Sequence, residues 1–197
     1  MMDAVAYQHV LLDDEKRELL RIARATLREH CYSGRIPPGK PHRECLVADA
    51  AVFVTLHRGD SLRGCVGMQQ AVKPLYRAIQ EMAVAAATRD PRFKAIEEEE
   101  LDQVTIEISV LGPRQPVRTP AEIVIGTHGL SIEVAGAHGL LLPQVAIEAR
   151  WSPSTFLEKV CSKAGLAADA WSVPEAQVEV FTAQVFNEKA YPPKPRS

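Results

Sequence analysis

The sequence predicts an α+β protein, and three observations carry that reading. Apolar residues recur at spacings of three and four in three separate segments, the signature of amphipathic helices. Residues Val104 to Leu111 alternate cleanly between apolar and polar, as a half-buried strand requires. Strands and helices then follow one another without the regular βαβ alternation of a parallel sheet. A chain of 197 residues with 46% apolar side chains is long enough to bury a real core, in one or two compact lobes.

The first element is a helix from Asp13 to Tyr32. Leu20, Ala23, Leu27 and Cys31 form its apolar stripe, and Arg17, Arg21, Arg24 and Arg28 line the other side as a solvated face. Asp13 can serve as N-cap and Gly34 is a natural stop. Pro37, Pro38, Gly39 and Pro41 make residues 35 to 45 a loop. Ala50 to Leu56 and Leu62 to Met68 read as strands. Between them Arg58-Gly59-Asp60 resembles an adhesion tripeptide, but Gly59-Asp60 is hairpin-turn chemistry.

Pro74 to Arg89 is the second helix, with Leu75, Ile79, Met82 and Ala86 on one stripe and alanines suited to close packing on a sheet. Glu97 to Glu100 is an acidic run, read as a solvated helix start. After the Val104 to Leu111 strand, three prolines within Gly112 to Pro120 mark a lobe boundary. Ile123 to Ile125, Leu130 to Val134 and Leu140 to Leu142 are short strands, and the two His-Gly-Leu tripeptides at His128 and His138 are turns of a meander. Ser152 and Pro153 open a third helix with the stripe Phe156, Leu157, Val160, Cys161 and Ala164, ended by Gly165. Gln177 to Phe186 is the last strand. A change of apolar phase at Val180 and Phe181 implies a bulge or burial on both faces. Residues 1 to 190 are thus one domain of two lobes, with the last strand free to return to the first lobe, and 191 to 197 form a flexible tail.

Composition narrows the function classes. A net charge of -2, from 23 basic and 25 acidic residues, lacks the footprint of a dedicated nucleic-acid binder. No apolar run approaches the roughly 20 residues of a membrane span, and the acidic Asp13 to Glu15 follow at once where a signal-peptide core would stand, so a cytoplasmic location is expected. Four cysteines without a Cys-x-x-Cys pair build neither a disulfide scaffold nor a standard zinc site. The nearest metal candidate, Cys31, His42 and Cys45, has no standard spacing, so no metal is expected. No nucleotide or metal fingerprint is present, and no cofactor is expected.

The segment Leu62-Arg63-Gly64-Cys65-Val66-Gly67 holds the most chemistry. Strict alternation would put Arg63, Cys65 and Gly67 on one face, where the guanidinium would lower the thiol pKa. Gly64 and Gly67 would let a substrate approach the backbone, so Cys65 becomes a candidate nucleophile and Arg63, Gly64 and Gly67 candidate substrate contacts. The structural alternative makes Cys65 a small buried residue in a glycine-rich bend, with Arg63 paired to a carboxylate. Asp90 and Arg92, in Asp90-Pro91-Arg92-Phe93, either fix a turn by pairing or place Arg92 near Cys65 as an anion clamp. His128, in a turn near glycines, is the candidate general base or a solvated loop histidine.

Several of these segments resemble the AMMECR domain family. Leu62 to Gly67 is similar to its hexapeptide LRGC-[Ile/Val]-Gly, Phe53-Val54-Thr55-Leu56 to its FVTL strand, and Asp90 to Phe93 to its DPRF element. Ser109-Val110-Leu111, Gly126 with His128-Gly129-Leu130, Leu141 to Ala146, and Lys163-Ala164-Gly165-Leu166 with Trp171 follow in family order, covering roughly residues 13 to 188. The likeness is greatest to the prokaryotic members, the AmmeMemoRadiSam system A proteins. It implies two interdependent α+β lobes, each a mainly antiparallel sheet with packed helices, and a cleft between them. It also implies Memo-like and radical S-adenosylmethionine proteins as partners, and it brings no established reaction. Two functions follow as expectations: a cysteine-dependent enzyme acting on a small polar or anionic substrate in the cleft, or a non-catalytic binding or adaptor module in which LRGCVG is structural.

Overall fold

The computed structural model describes residues 7–39, 41 and 43–192 of the chain. Its strands are β1 (Val52–Arg58), β2 (Ser61–Met68), β3 (Val104–Pro116), β4 (Gly129–Val134), β5 (Ala137–Leu141) and β6 (Gln177–Asn187). The helices are α1 (Asp13–Ser33), α2 (Leu75–Thr88), α3 (Pro143–Glu148) and α4 (Pro153–Lys163). The six strands form one sheet in the order β2-β1-β3-β6-β4-β5, with β1 antiparallel to both β2 and β3, and β4 to both β5 and β6. The fold is α+β. By its internal contacts the chain divides into two compact units, Met1–Leu111 with Gln184–Ser197, and Gly112–Ala183.

In the first unit α1 and α2 cover one face of the sheet. Val52, Val54 and Leu56 of β1 stand opposite Val110, Ile108 and Ile106 of β3, and all six are buried against Leu19, Ala23, Leu27, Ile79 and Ala83 of the helices. The alternation in β3 therefore does what the sequence asks of it. Gly59, with φ +63°, is the first residue of the two-residue turn joining Arg58 to Ser61. Asp60 keeps a negative φ, so this is the II′ arrangement, whose twist matches the strands.

The arginine row of α1 is only partly a solvated face. Arg24 is mostly buried and donates to Glu188 and to the carbonyls of Leu101 and Val104, while Glu188 also accepts the Ile106 N–H at 2.9 Å. One guanidinium thus ties α1 to the start of β3 and to the chain just past β6. Helix α1 begins one residue earlier than an Asp13 cap would have it: Leu12 is the cap, and the Glu15 carboxylate accepts its N–H at 2.8 Å. Gly34 closes the helix at φ +72°.

In the second unit α4 packs on β4 and β5, and Phe156, Leu157, Val160 and Cys161 join Leu130, Ile132, Val178 and Val180 in a separate core. Ser152 caps α4 by accepting the Thr155 N–H at 3.2 Å, with Pro153 at the first helical position. Strand β6 needs no bulge against β4. Its register with β4 runs unbroken, and Phe181 turns to the opposite side, under Gly129. Burial on both faces accounts for the change of phase.

Several expectations change. The division between the two units falls at Leu111 and Gly112, at the start of the proline-bearing stretch, but the backbone there stays extended: strand β3 continues through Pro113 to Pro116. Ile123 to Ile125 is not a strand but follows a 3-10 turn at Pro120–Glu122. His138 lies in β5, opposite Glu133, rather than in a turn; the β4–β5 turn is Ala135-Gly136, both with positive φ. Glu98–Glu100 is a single 3-10 turn. Tyr191 is docked, not loose: its hydroxyl accepts from Lys16 Nζ at 3.2 Å and its ring meets Phe186 edge-on. The remainder of the tail, 193–197, lies outside the described residues.

Candidate functional site

The pairing of β1 with β2 slips by one residue. Leu56 faces Gly64 but His57 faces Leu62, so Arg63 is the extra residue of a β-bulge. The alternation that would have aimed Arg63 alongside Cys65 is broken at that point. Arg63 instead makes a bidentate pair with Glu100, at 3.0 and 2.9 Å, and donates to the Lys94 carbonyl at 2.9 Å. It is not the cation of Cys65.

Cys65 itself is half-buried opposite Thr55, whose hydroxyl donates to Sγ at 3.3 Å. The Cys65 N–H donates to the Asp90 carboxylate at 2.8 Å. Burial pushes the thiol above its ordinary range; the Thr55 hydroxyl and the Arg92 guanidinium act against this, and the Asp90 and Glu107 carboxylates reinforce it. The sequence predicted a lowered thiol pKa, and the structure corrects it, because burial dominates and the expected neighbour Arg63 is engaged elsewhere.

Both glycines of the segment are explained by packing. A Cβ at Gly64 would lie 2.1 Å from the Ala86 carbonyl oxygen, so Gly64 is where α2 touches β2 backbone to backbone. A Cβ at Gly67 would lie 2.2 Å from the Phe53 ring, which covers its cross-strand partner. The room expected for a substrate at these positions is filled by the protein's own atoms.

Asp90 and Arg92 do come together with Cys65. The buried Asp90 carboxylate accepts Arg92 Nε and Nη2 at 2.9 and 2.7 Å and the Arg92 N–H at 3.1 Å, besides the Cys65 N–H. Phe93 sits beneath two guanidiniums, Arg92 at 5.5 Å and Arg63 at 5.9 Å. Asp90 to Lys94 thus meets β2 at three points: Asp90 on the Cys65 amide, the Lys94 carbonyl on Arg63, and the Phe93 ring under Arg63. Arg92 is 53% exposed at its side chain and faces solvent.

The Arg92 pair, helped by the Cys65 and Arg92 N–H groups and opposed by burial, holds the Asp90 carboxyl well below the usual carboxylate range. A carboxyl depressed on folding contributes stability that is complete above its unfolded value, near 3.8, and is lost as pH falls through the folded one. Asp90→Asn is therefore expected to cost about 2 kcal/mol at neutral pH. The gap from the parent should shrink as the pH is lowered from about 5 to about 2. Urea midpoints at three pH values check this; a gap independent of pH would contradict it.

His128 belongs to the second unit, just before β4. Its Nδ1 accepts the Val124 N–H at 3.1 Å and closes its own turn. The lone pair a general base would use is engaged in that bond, so the histidine serves the turn. Of the metal candidates Cys31, His42 and Cys45, Cys31 is on α1, Cys45 donates to Glu15 and His42 lies outside the described residues. Sequence reasoning missed Thr55 and Glu107, which only the strand register places around Cys65, and it gave Glu188 no role.

No helix among the described residues is long and apolar enough to cross a membrane. Comparison with known proteins gives a consistent picture. The AMMECR1 family model matches residues 20–186. A protein of Methanothermobacter thermautotrophicus is 44% identical over 184 residues, covering 89% of this chain and 95% of the relative. The protein MK0488 of Methanopyrus kandleri is 40% identical over 185 residues, covering 89% of each. The crystal structure of the uncharacterized protein PH0010 from Pyrococcus horikoshii superposes with a TM-score of 0.88 at 36% identity, covering 93% of this chain and 96% of that one.

Proposed function

This chain belongs to the AMMECR1 family, and on that premise we propose that it is a non-catalytic binding module in which Leu62 to Gly67 is structural. The observation that supports this reading is the closed set of contacts around the segment. Asp90 holds the Cys65 amide, Thr55 occupies the thiol, Glu100 occupies Arg63, and the Ala86 carbonyl and Phe53 ring fill the spaces at Gly64 and Gly67. A nucleophile needs an available thiolate and a base within reach. Here the thiol is half-buried and pushed up, and its near neighbours are a hydroxyl, two carboxylates and one guanidinium already paired to Asp90. The partners of such a module would be the Memo-like and radical S-adenosylmethionine proteins that the family resemblance implies, in the cytoplasm.

One observation favours the enzyme reading: the half-exposed Arg92 lies beside Cys65 and could meet an anionic substrate. Alkylation separates the two. In the native protein, iodoacetamide labelling of Cys65, followed by peptide mass spectrometry, is expected to be slower than that of a free thiol and to rise only above the ordinary thiol range near pH 9. Cys65→Ser should fold and co-purify with co-expressed Memo-like and radical S-adenosylmethionine proteins as the parent does. Rapid labelling at neutral pH, or a folded Cys65→Ser that has lost cellular activity while keeping its partners, would establish the thiol enzyme instead.

A further inference from the structure

Away from Cys65, three metal-ligating side chains from three segments meet at the start of α1. His9 comes from the segment before the helix, Glu15 is its third residue, and Cys45 lies in the 3-10 turn Glu44–Leu46. Their donor atoms all lie within 4.8 Å of one another, with His9 Nε2 2.8 Å from one Glu15 oxygen and Cys45 Sγ 3.1 Å from the other. We propose that His9, Glu15 and Cys45 bind a divalent transition-metal ion, with Zn2+ as the natural occupant.

A second, independent observation points into the same place. Tyr7 is 5% exposed, and its hydroxyl has no hydrogen-bond partner among the described residues. That hydroxyl is coupled electrostatically to Cys45 and Glu15, and its ring meets His9 edge-on at 6.2 Å. A buried donor left unpaired costs about 1–3 kcal/mol, so the space beside it is suited to a polar occupant. Three protein ligands leave a zinc ion one open position, normally held by water, and such a water gives Tyr7 its missing partner.

The donor set decides the class of ion. Imidazole nitrogen, thiolate and carboxylate together suit Zn2+ or Co2+, whereas Mg2+ and Ca2+ take oxygen ligands. Donors around one tetrahedral ion of this size stand roughly 3.5 Å apart, so the three groups need to move by about 1 Å. Binding replaces the hydrogen bonds that now join the donors. The Cys45 thiol proton leaves to solvent, an S–metal bond forms, and no redox change is involved. The Glu15 carboxylate and Cys45 thiolate then balance the dication. Arg43, which sits 3.3 Å from Glu15, has a side chain 40% exposed and can turn into water as the ion enters. His9, 41% exposed, gives the site its route to solvent.

The bland account is that Glu15 only caps α1 through the Leu12 N–H while its other neighbours donate to it. Cobalt separates the two. Full-length protein stripped with a chelator and titrated with Co2+ is expected to bind one equivalent, with a thiolate-to-cobalt charge-transfer band in the near ultraviolet that Zn2+ abolishes. Cys45→Ser should lose the band, while Cys31→Ser and Cys65→Ser keep it. His9→Ala, at a part-exposed position, is expected to keep the fold, checked by circular dichroism, and to weaken binding on the order of a hundredfold or more. If Cys45→Ser does not fold, His9→Ala decides. Absence of a thiolate band with the parent protein, or a band that survives Cys45→Ser or His9→Ala unchanged, would overturn the assignment.

Discussion

Gly64→Ala is expected to lower the unfolding free energy by about 3 kcal/mol or more, a large effect for one added methyl group. The new Cβ would stand 2.1 Å from the Ala86 carbonyl oxygen, far inside contact distance. Both atoms belong to backbone, in β2 and in α2, so no side chain can rotate aside. Relief requires the helix to lift off the sheet, which loosens Ala83, Ala86 and Ala87 from the buried face they share with β1. Gly67→Ala provides the internal comparison. Its Cβ meets the Phe53 ring, a side chain that can give way, and the expected cost is about 1 kcal/mol. Urea unfolding of the two variants checks the ratio. Equal and small losses would show that α2 is not seated on Gly64 as described.

The second large effect lies at Arg24. Arg24→Ala should destabilise the first unit by about 3 kcal/mol, because it strands the mostly buried Glu188 carboxylate and the Leu101 and Val104 carbonyls. The penalty is for leaving a charge unpaired, so removing both charges tests the cause. Arg24→Met with Glu188→Gln, which keeps an acceptor for the Ile106 N–H, should recover most of the loss. A double variant no more stable than Arg24→Ala would mean that the guanidinium's packing, not the pairing, is what matters.

Much of this architecture is legible locally. The helix at Asp13, the hairpin at Gly59-Asp60, the alternation of Val104 to Val110 and the Ser152-Pro153 cap depend on neighbouring residues, and such signals survive folding unchanged. Helix α3 was missed because six residues hold fewer than two turns, too few to show a period. Ile123 to Ile125 read as a strand on β-branched composition alone, while the preceding Pro120–Glu122 turn, with Glu122 bonding Thr119, fixes the local path. The candidate site was less legible than the fold. Of the two neighbours offered for Arg63, the carboxylate is found, as Glu100, and the Cys65 side is not, because one inserted residue in the register reverses a face and a bulge leaves no mark in a single strand's sequence. The cation that does approach Cys65, Arg92, arrives through Asp90, a contact 25 positions away in the chain.

The clasp that Asp90 places on the Cys65 amide has a consequence for self-association. Strand β2 ends the sheet, and a terminal strand offers unpaired amides as a template on which a second chain can polymerise. Here the Cys65 amide is plugged by a carboxylate, and the half-exposed Arg92 stands guard in front of it. At the other end, β5 is only five residues long, and a short edge strand offers little template. The protein thus carries its protection against fibrous aggregation at both margins of the sheet, and on β2 that protection is the same Asp90–Arg92 pair whose grip weakens in acid.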